Sequence, residues 1–241
     1  NENYMAYFAV PYNITDNPSI SLWAKDKAEN TIKTAFSCLV KRKQFENDNM
    51  TITDSFLKNV LPYFFDEIDP TASDIDNYIK INSEMRIKDN TLISDLMKDV
   101  SPVRLWEGTW VRLKNSAPMA GFADHRKYLY NGILVDEQDH LGVDLASTEH
   151  SPVEASNSGR VLFAGRNGIY GNMVVIDHGQ GVASLYGHLS DILVTDGHDV
   201  IKGDIIGHTG RTGLAVGDHL HFSMLVQGVF VNPIEWWDDH W

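Results

Sequence analysis

The sequence predicts an α+β protein: an antiparallel β domain preceded by a small α-helical domain. Three observations carry this. Apolar residues recur at helical spacing in the first hundred positions. Short strand-like phrases separated by glycines fill the rest. No long helical period lies between those phrases to support a parallel sheet. With 241 residues, the chain can form one large domain or two small ones. The change of pattern near Ser101-Pro102 divides it into a helical accessory domain, 1–103, and a β domain, 104–241.

In the first part, Ala28, Ile32, Ala35, Phe36, Leu39 and Val40 follow the three-to-four spacing of one helical face. Ile93, Leu96, Met97 and Val100 repeat it. Ser73 followed by Asp76 reads as a helix start, a capping pattern with Asp in place of Glu. Cys38, the only cysteine, falls in the first helical pattern and reads as a buried, inert thiol. It leaves no intrachain disulfide and no sulfur-rich metal site. In the second part, VLFAG, NMVVID, VASLYGH, HLHFSMLV and VFVNP are rich in β-branched, aromatic and apolar residues.

Hydrophobic residues make up 43% and charged residues 22%, the balance of a folded globular chain. The formal charge of −13 repels a phosphate backbone, so no nucleic-acid partner is expected. No apolar run reaches the ~20 residues that span a bilayer, and the first residues lack a signal-peptide pattern. The chain begins at Asn, so an upstream signal or anchor can have been removed.

All ten histidines lie at or beyond position 125. In a strand, His219 and His221 of HLHFSML share one face, while Leu220 and Phe222 point to the core. In HLGVD, His140 and Asp144 also share a face across Gly142, but a straight strand sets their Cα atoms ~13 Å apart. Either the side chains lean together or the chain bends. Two imidazoles and one carboxylate form the open three-ligand set of catalytic zinc. Spacing alone does not decide which two of the nearby histidines bind. In LYGHLS, Tyr186 and His188 alternate onto one strand face, and His188 is a candidate general acid or base.

HLGVD, LYGHLS and GDHLHF, in this order, resemble the motifs H-x-x-x-D, Y-x-H-L and H-x-H of the lysostaphin-type (LytM-like) zinc endopeptidases of peptidoglycan. SPVEASNSGRV, GNMVVIDHG, DVIKGDIIGHTGRTG and VNPIEWW add to the likeness, which covers roughly 118–237. The resemblance implies one zinc ion on His140, Asp144 and His221, with His188 and His219 as catalytic histidines. It implies a long narrow groove, peptidoglycan peptides (cross-links or stem peptides) as substrate, and a bacterial, extracytoplasmic location, periplasmic or secreted. Because some LytM-like domains have lost their ligands and activate other wall hydrolases, a non-catalytic regulator is the alternative; all five key residues are present here. A hydrolase of non-wall proteins is a third reading. The phrase Phe122 to Arg126 departs from the family's Phe-Gly-x-Arg, so the likeness assigns Arg126 no substrate role. The first hundred residues match no family module, which leaves them open to cover the groove, restrain activity or recruit a regulatory partner.

The remaining histidines read differently. His178 belongs to a hairpin turn, and His125, His150, His198, His208 and His240 are solvated. Trp236 and Trp237 pack the terminal segment against the domain. The glycines at 203, 207, 210 and 213 lack the lysine of a phosphate loop.

Overall fold

The computed structural model describes residues 5–41 and 43–238; His240 lies outside them. In chain order the strands are β1 (Ser19–Lys25), β2 (Thr31–Ser37), β3 (Asn47–Ile52), β4 (Ala117–Ala120), β5 (His125–Tyr130) and β6 (Ile133–Asp139). There follow β7 (Val143–Ala146), β8 (Pro152–Glu154), β9 (Gly159–Asn167), β10 (Gly171–Gly179) and β11 (Val182–Leu189). The last are β12 (Asp191–Ile192), β13 (Asp199–Val200), β14 (Ile205–His208), β15 (Leu220–Val226) and β16 (Val229–Val231). Three α-helices, α1 (Asp54–Val60), α2 (Asp74–Lys80) and α3 (Arg86–Leu96), lie between β3 and β4. The α+β class holds, with mostly antiparallel sheets and few helices.

The segment 28–40 departs from its reading. It is not helical: Thr31–Ser37 is β2, paired antiparallel with β1. Ile20↔Phe36, Leu22↔Thr34 and Ala24↔Ile32 are cross-strand partners, so the apolar residues share a hairpin face rather than a helix face. Asp26 closes the turn by accepting from the backbone N–H groups of Ala28 and Asn30. Thr31, Ile32 and Thr34 are β-branched, which favours the strand. Cys38 lies just past β2 and is half-buried, not held on a buried helical face.

The helices beyond behave as their patterns predict. Ser73 caps α2 by accepting from the Asp76 N–H, and its hydroxyl donates to the Asp76 carboxylate at 2.6 Å. A π-turn at Ile81–Met85 joins α2 to α3. Leu57, Phe64, Tyr78, Ile81 and Ile93 form the buried side of this region.

The largest sheet runs β13-β9-β10-β11-β15-β7-β4, with β16 also paired to β15. Its central strands are buried on both faces, as in Val174, Ile176, Leu185 and Met224. A second sheet, β3-β5-β6, draws β3 from the N-terminal part and pairs it parallel to β5. Trp236 closes onto Trp110 (5.2 Å between centroids), and Trp237 stacks on Phe222 at 5.6 Å, so both tryptophans pack the terminal segment.

His178 is not a turn residue. The turn falls at Gln180 and Gly181, and His178 sits fully buried in β10. One ring nitrogen (Nδ1) donates to the Ser158 carbonyl at 2.8 Å, the other meets the Ser184 hydroxyl at 2.7 Å, and Trp110 covers the ring. Burial pushes its pKa down to about 4. The folded state therefore keeps this ring neutral, whereas the unfolded chain protonates it below about 6.5. Stability from this residue is complete above that pH and is lost as pH falls, by on the order of 3 kcal/mol between pH 6.5 and 4. Urea unfolding between pH 7 and 5 should show this steep loss in the native chain and a shallower one in His178→Asn; equal slopes would refute the assignment.

Candidate metal centre

The bend that His140 and Asp144 need is present. His140 follows the end of β6, the chain turns through Leu141 and Gly142, and Asp144 lies in β7. Only glycine fits at 142: a Cβ there would lie 2.6 Å from the Phe222 carbonyl oxygen and 2.7 Å from the His221 ring. His221 stands beside Asp144 in the β15–β7 register, so their side chains share one face.

Three donor atoms converge. His140 Nε2 lies 3.0 Å from Asp144 Oδ1 and 3.0 Å from His221 Nδ1, and His221 Nδ1 is 3.0 Å from the same carboxylate oxygen. All three residues are buried. A carbonyl can only accept, so His140 Nδ1–H donates to the Gly121 carbonyl at 2.8 Å; the neutral ring then turns a bare Nε2 toward Asp144 and His221. Ser223 Oγ, 2.9 Å from His221 Nε2, offers an acceptor that leaves Nδ1 bare in the same way. Lone pairs and a carboxylate packed this closely repel one another unless a cation lies among them. Donors of one tetrahedral zinc ion stand about 3.3 Å apart at ordinary bond lengths, so the 3.0 Å spacing suits such an ion after a small outward relaxation. The residues fit a divalent metal.

The electrostatics agree with this donor set. Burial pushes His221 down to about 4, so it is neutral, the form that ligates.

His188 and His219 lie beside the triad. Their ring centroids are 4.8 Å apart, and His188 is 5.7 Å from His221. His188 Nδ1–H donates to the Thr212 carbonyl and His219 Nδ1–H to the Gly217 carbonyl, both at 2.8 Å, which leaves each Nε2 bare. Burial, with His219 and His221 nearby, pushes the His188 pKa well below its ordinary value. His219 Nε2 is 3.6 Å from Asp144 Oδ1, farther than the triad spacing.

Tyr186 and His188 do not share a face. Tyr186 is in the core against Phe222 and accepts from the Ser156 N–H, while His188 joins His219 and His221. The ladder register shifts beside His188, and its φ of 63° is left-handed, which swings the ring to the other side of the sheet.

A groove of 280 Å³ contains all five residues and is walled by Met119, Leu141, Tyr170, Leu214 and Val216. Asp48, Met50 and Arg86 reach it from the N-terminal part. A larger cavity of 770 Å³, walled by aromatics such as Phe8, Tyr12 and Trp236, contains none of the five. His125 pairs with Asp139 at 2.8 Å and His208 with Asp191 at 2.8 Å, both half-buried; His150 and His198 are exposed.

Two contributors had no signal in the sequence. Arg126 Nη2 donates to Asp144 Oδ2 at 2.9 Å. Helix α3 grips the 168–170 turn: Asp89 accepts from the Ile169 N–H at 2.7 Å, and the Tyr170 hydroxyl donates to Asn90 at 2.8 Å. Tyr170 in turn packs against His221 at 5.3 Å.

Comparison with known proteins agrees with this architecture. The DD-carboxypeptidase/endopeptidase Mpg of Neisseria meningitidis is 42% identical over 107 residues, which are 44% of this chain and 25% of that protein. The peptidoglycan DD-endopeptidase ShyA of Vibrio cholerae is 41% identical over 96 residues, 40% of this chain and 22% of that protein. This chain thus corresponds to a quarter or less of those relatives' lengths. A crystal structure described as a peptidase M23 from Pseudomonas aeruginosa shares the fold at a TM-score of 0.62 and 20% identity, covering 96% of this chain and 78% of that one. Residues 138–233 match the model of peptidase family M23, and the region that holds the five residues is accordingly a peptidase M23 (LytM-like) domain.

Proposed function

We propose that this protein is a zinc endopeptidase that hydrolyses peptide bonds in bacterial peptidoglycan. The convergence of His140 Nε2, Asp144 Oδ1 and His221 Nδ1 at 3.0 Å carries this reading. The M23 match and the named activities of the relatives support it. When bound, zinc supplies an ionised water near neutral pH and polarises a carbonyl. His188 and His219 each present a bare Nε2, anchored through Nδ1, that takes a proton from the attacking water and returns it to the leaving amine. Leu141, Leu214 and Val216 give the groove an apolar side beside these rings. Wall peptides as substrate put the protein outside the cytoplasm.

In this reading residues 104–241 are the catalytic domain and 1–103 an accessory region that braces the groove through α3 and β3 and can receive a regulatory partner. A purely regulatory role has no observation in its favour, since the metal donors and both flanking histidines are assembled in one groove. Digestion of defined cross-linked muropeptides, followed by mass spectrometry, tests the reading, with casein as a non-wall control. Cleavage of the muropeptides alone, stopped by a chelator and restored by zinc, is the expected outcome. A zinc-loaded protein that leaves every muropeptide intact would overturn it.

A further inference from the structure

Asp144 uses its two oxygens for different contacts. Oδ1 faces His140 and His221, while Oδ2 accepts from Arg126 at 2.9 Å. Arg126 sits mid-sheet on β5, opposite Asp48 of β3 on one side and Gln138 of β6 on the other. Its side chain is 17% exposed, and its Nε is buried without a hydrogen-bond partner. Burial opposes its charge, yet Asp144 beside it raises its pKa above the ordinary value. The guanidinium is thus held by the Asp144 carboxylate, its one charged partner, together with the Tyr128 hydroxyl two residues along β5.

We propose that Arg126 is a positioning residue of the metal site, holding Asp144 so that it ligates through Oδ1 alone. The proposal rests on the reading of His140, Asp144 and His221 as zinc ligands. With Oδ2 engaged by the permanently charged guanidinium, Oδ1 is the oxygen left to face the ion, and rotation of the carboxylate would break that charge-assisted bond. A lysine retains the charge but not the planar fork, so it restores only part of the effect. Because β3 pairs along β5, residues 47–52 of the N-terminal part set the position of Arg126 and, through it, of Asp144.

Zinc affinity of the full chain, measured by competition with a chelating dye, tests this in native, R126Q, R126K and His140→Ala proteins. The visible spectrum of the cobalt-substituted forms reports ligand geometry independently of activity. R126Q should weaken zinc binding ~10–100-fold, the range for loss of a group that orients a ligand. Its cobalt spectrum should shift, and R126K should fall between R126Q and native. A purely structural arginine would instead lower the metal-free melting temperature and leave affinity and spectrum native, which would overturn the proposal. If R126Q does not fold, R126K decides: weaker zinc binding at a native melting temperature supports the proposal, and unchanged affinity overturns it. Failure of the underlying ligand reading is seen separately, as a native chain that binds no zinc or a His140→Ala variant that binds it unimpaired.

Discussion

Replacing His140, Asp144 or His221 with Ala should remove zinc and hydrolysis together. Each supplies one of only three converging donors, and among the described residues no other group of three or more His, Cys, Asp or Glu side chains meets as these do. Two donors do not hold the ion against dialysis, and a chelator should act on the native protein as the substitutions do, with recovery on adding zinc. The loss should exceed the ~10²–10³-fold that removal of a single oxyanion donor costs, because in the proposed reaction the ion would serve both the water and the carbonyl. Asp144→Asn makes a finer variant: it keeps the shape and surrenders the charge that balances the cation. Acid should weaken the site too, since a protonated imidazole cannot ligate. Full turnover in a demonstrably metal-free sample would sink the assignment. Zinc content and muropeptide cleavage, measured on the same preparations, are the required data.

His188 and His219 should behave in the opposite way with respect to metal. An Ala at either position should leave about one equivalent of zinc bound while turnover falls by ~10²-fold or more, the scale of losing a general acid-base group. The two losses combined should cost less than their product, because in the proposed reaction both rings would serve one transition state. His188 needs a companion variant. Its φ of 63° is costly for alanine and better tolerated by asparagine, so His188→Asn separates loss of the imidazole from strain in the strand. Near-native rates in both His188 variants would reduce that residue to a packing role. If His219→Ala stripped the zinc, the roles within the HLH pair would exchange; its 3.6 Å approach to Asp144, against 3.0 Å for His221, argues against that outcome.

Much of the site can be read in the linear chain because strand periodicity is a local property. His219 and His221 share a face by alternation alone, and Leu220 and Phe222 enter the core as that alternation requires. The glycine-punctuated strands after residue 104 and the Ser73 cap are local in the same sense. What escaped reading depends on contacts between distant residues. The apolar spacing at 28–40 suits a helix, but pairing with Ile20, Leu22 and Ala24 turns it into a strand. Alternation puts His188 with Tyr186, and a register shift set by β10 undoes it. His178 beside a glycine turn looks like part of that turn until Trp110, Ser158 and Ser184 close around it. Arg126 is legible only once β5 has been laid beside β7's aspartate, 18 positions away.

The contact between α3 and the 168–170 turn has a consequence for how such chains can be recombined. Gly168 has a φ of 34°, and any Cβ on it would strike the Asp89 carboxylate at 2.1 Å. The Ile169 N–H has its acceptor on that same aspartate, and the Tyr170 hydroxyl has its own on Asn90. A chimera that joined this β domain to an unrelated N-terminal half would orphan a buried amide and release the tyrosine that backs His221. The seam between the two halves is therefore bespoke, and Asp89, Asn90, Gly168 and Tyr170 must be exchanged together or not at all.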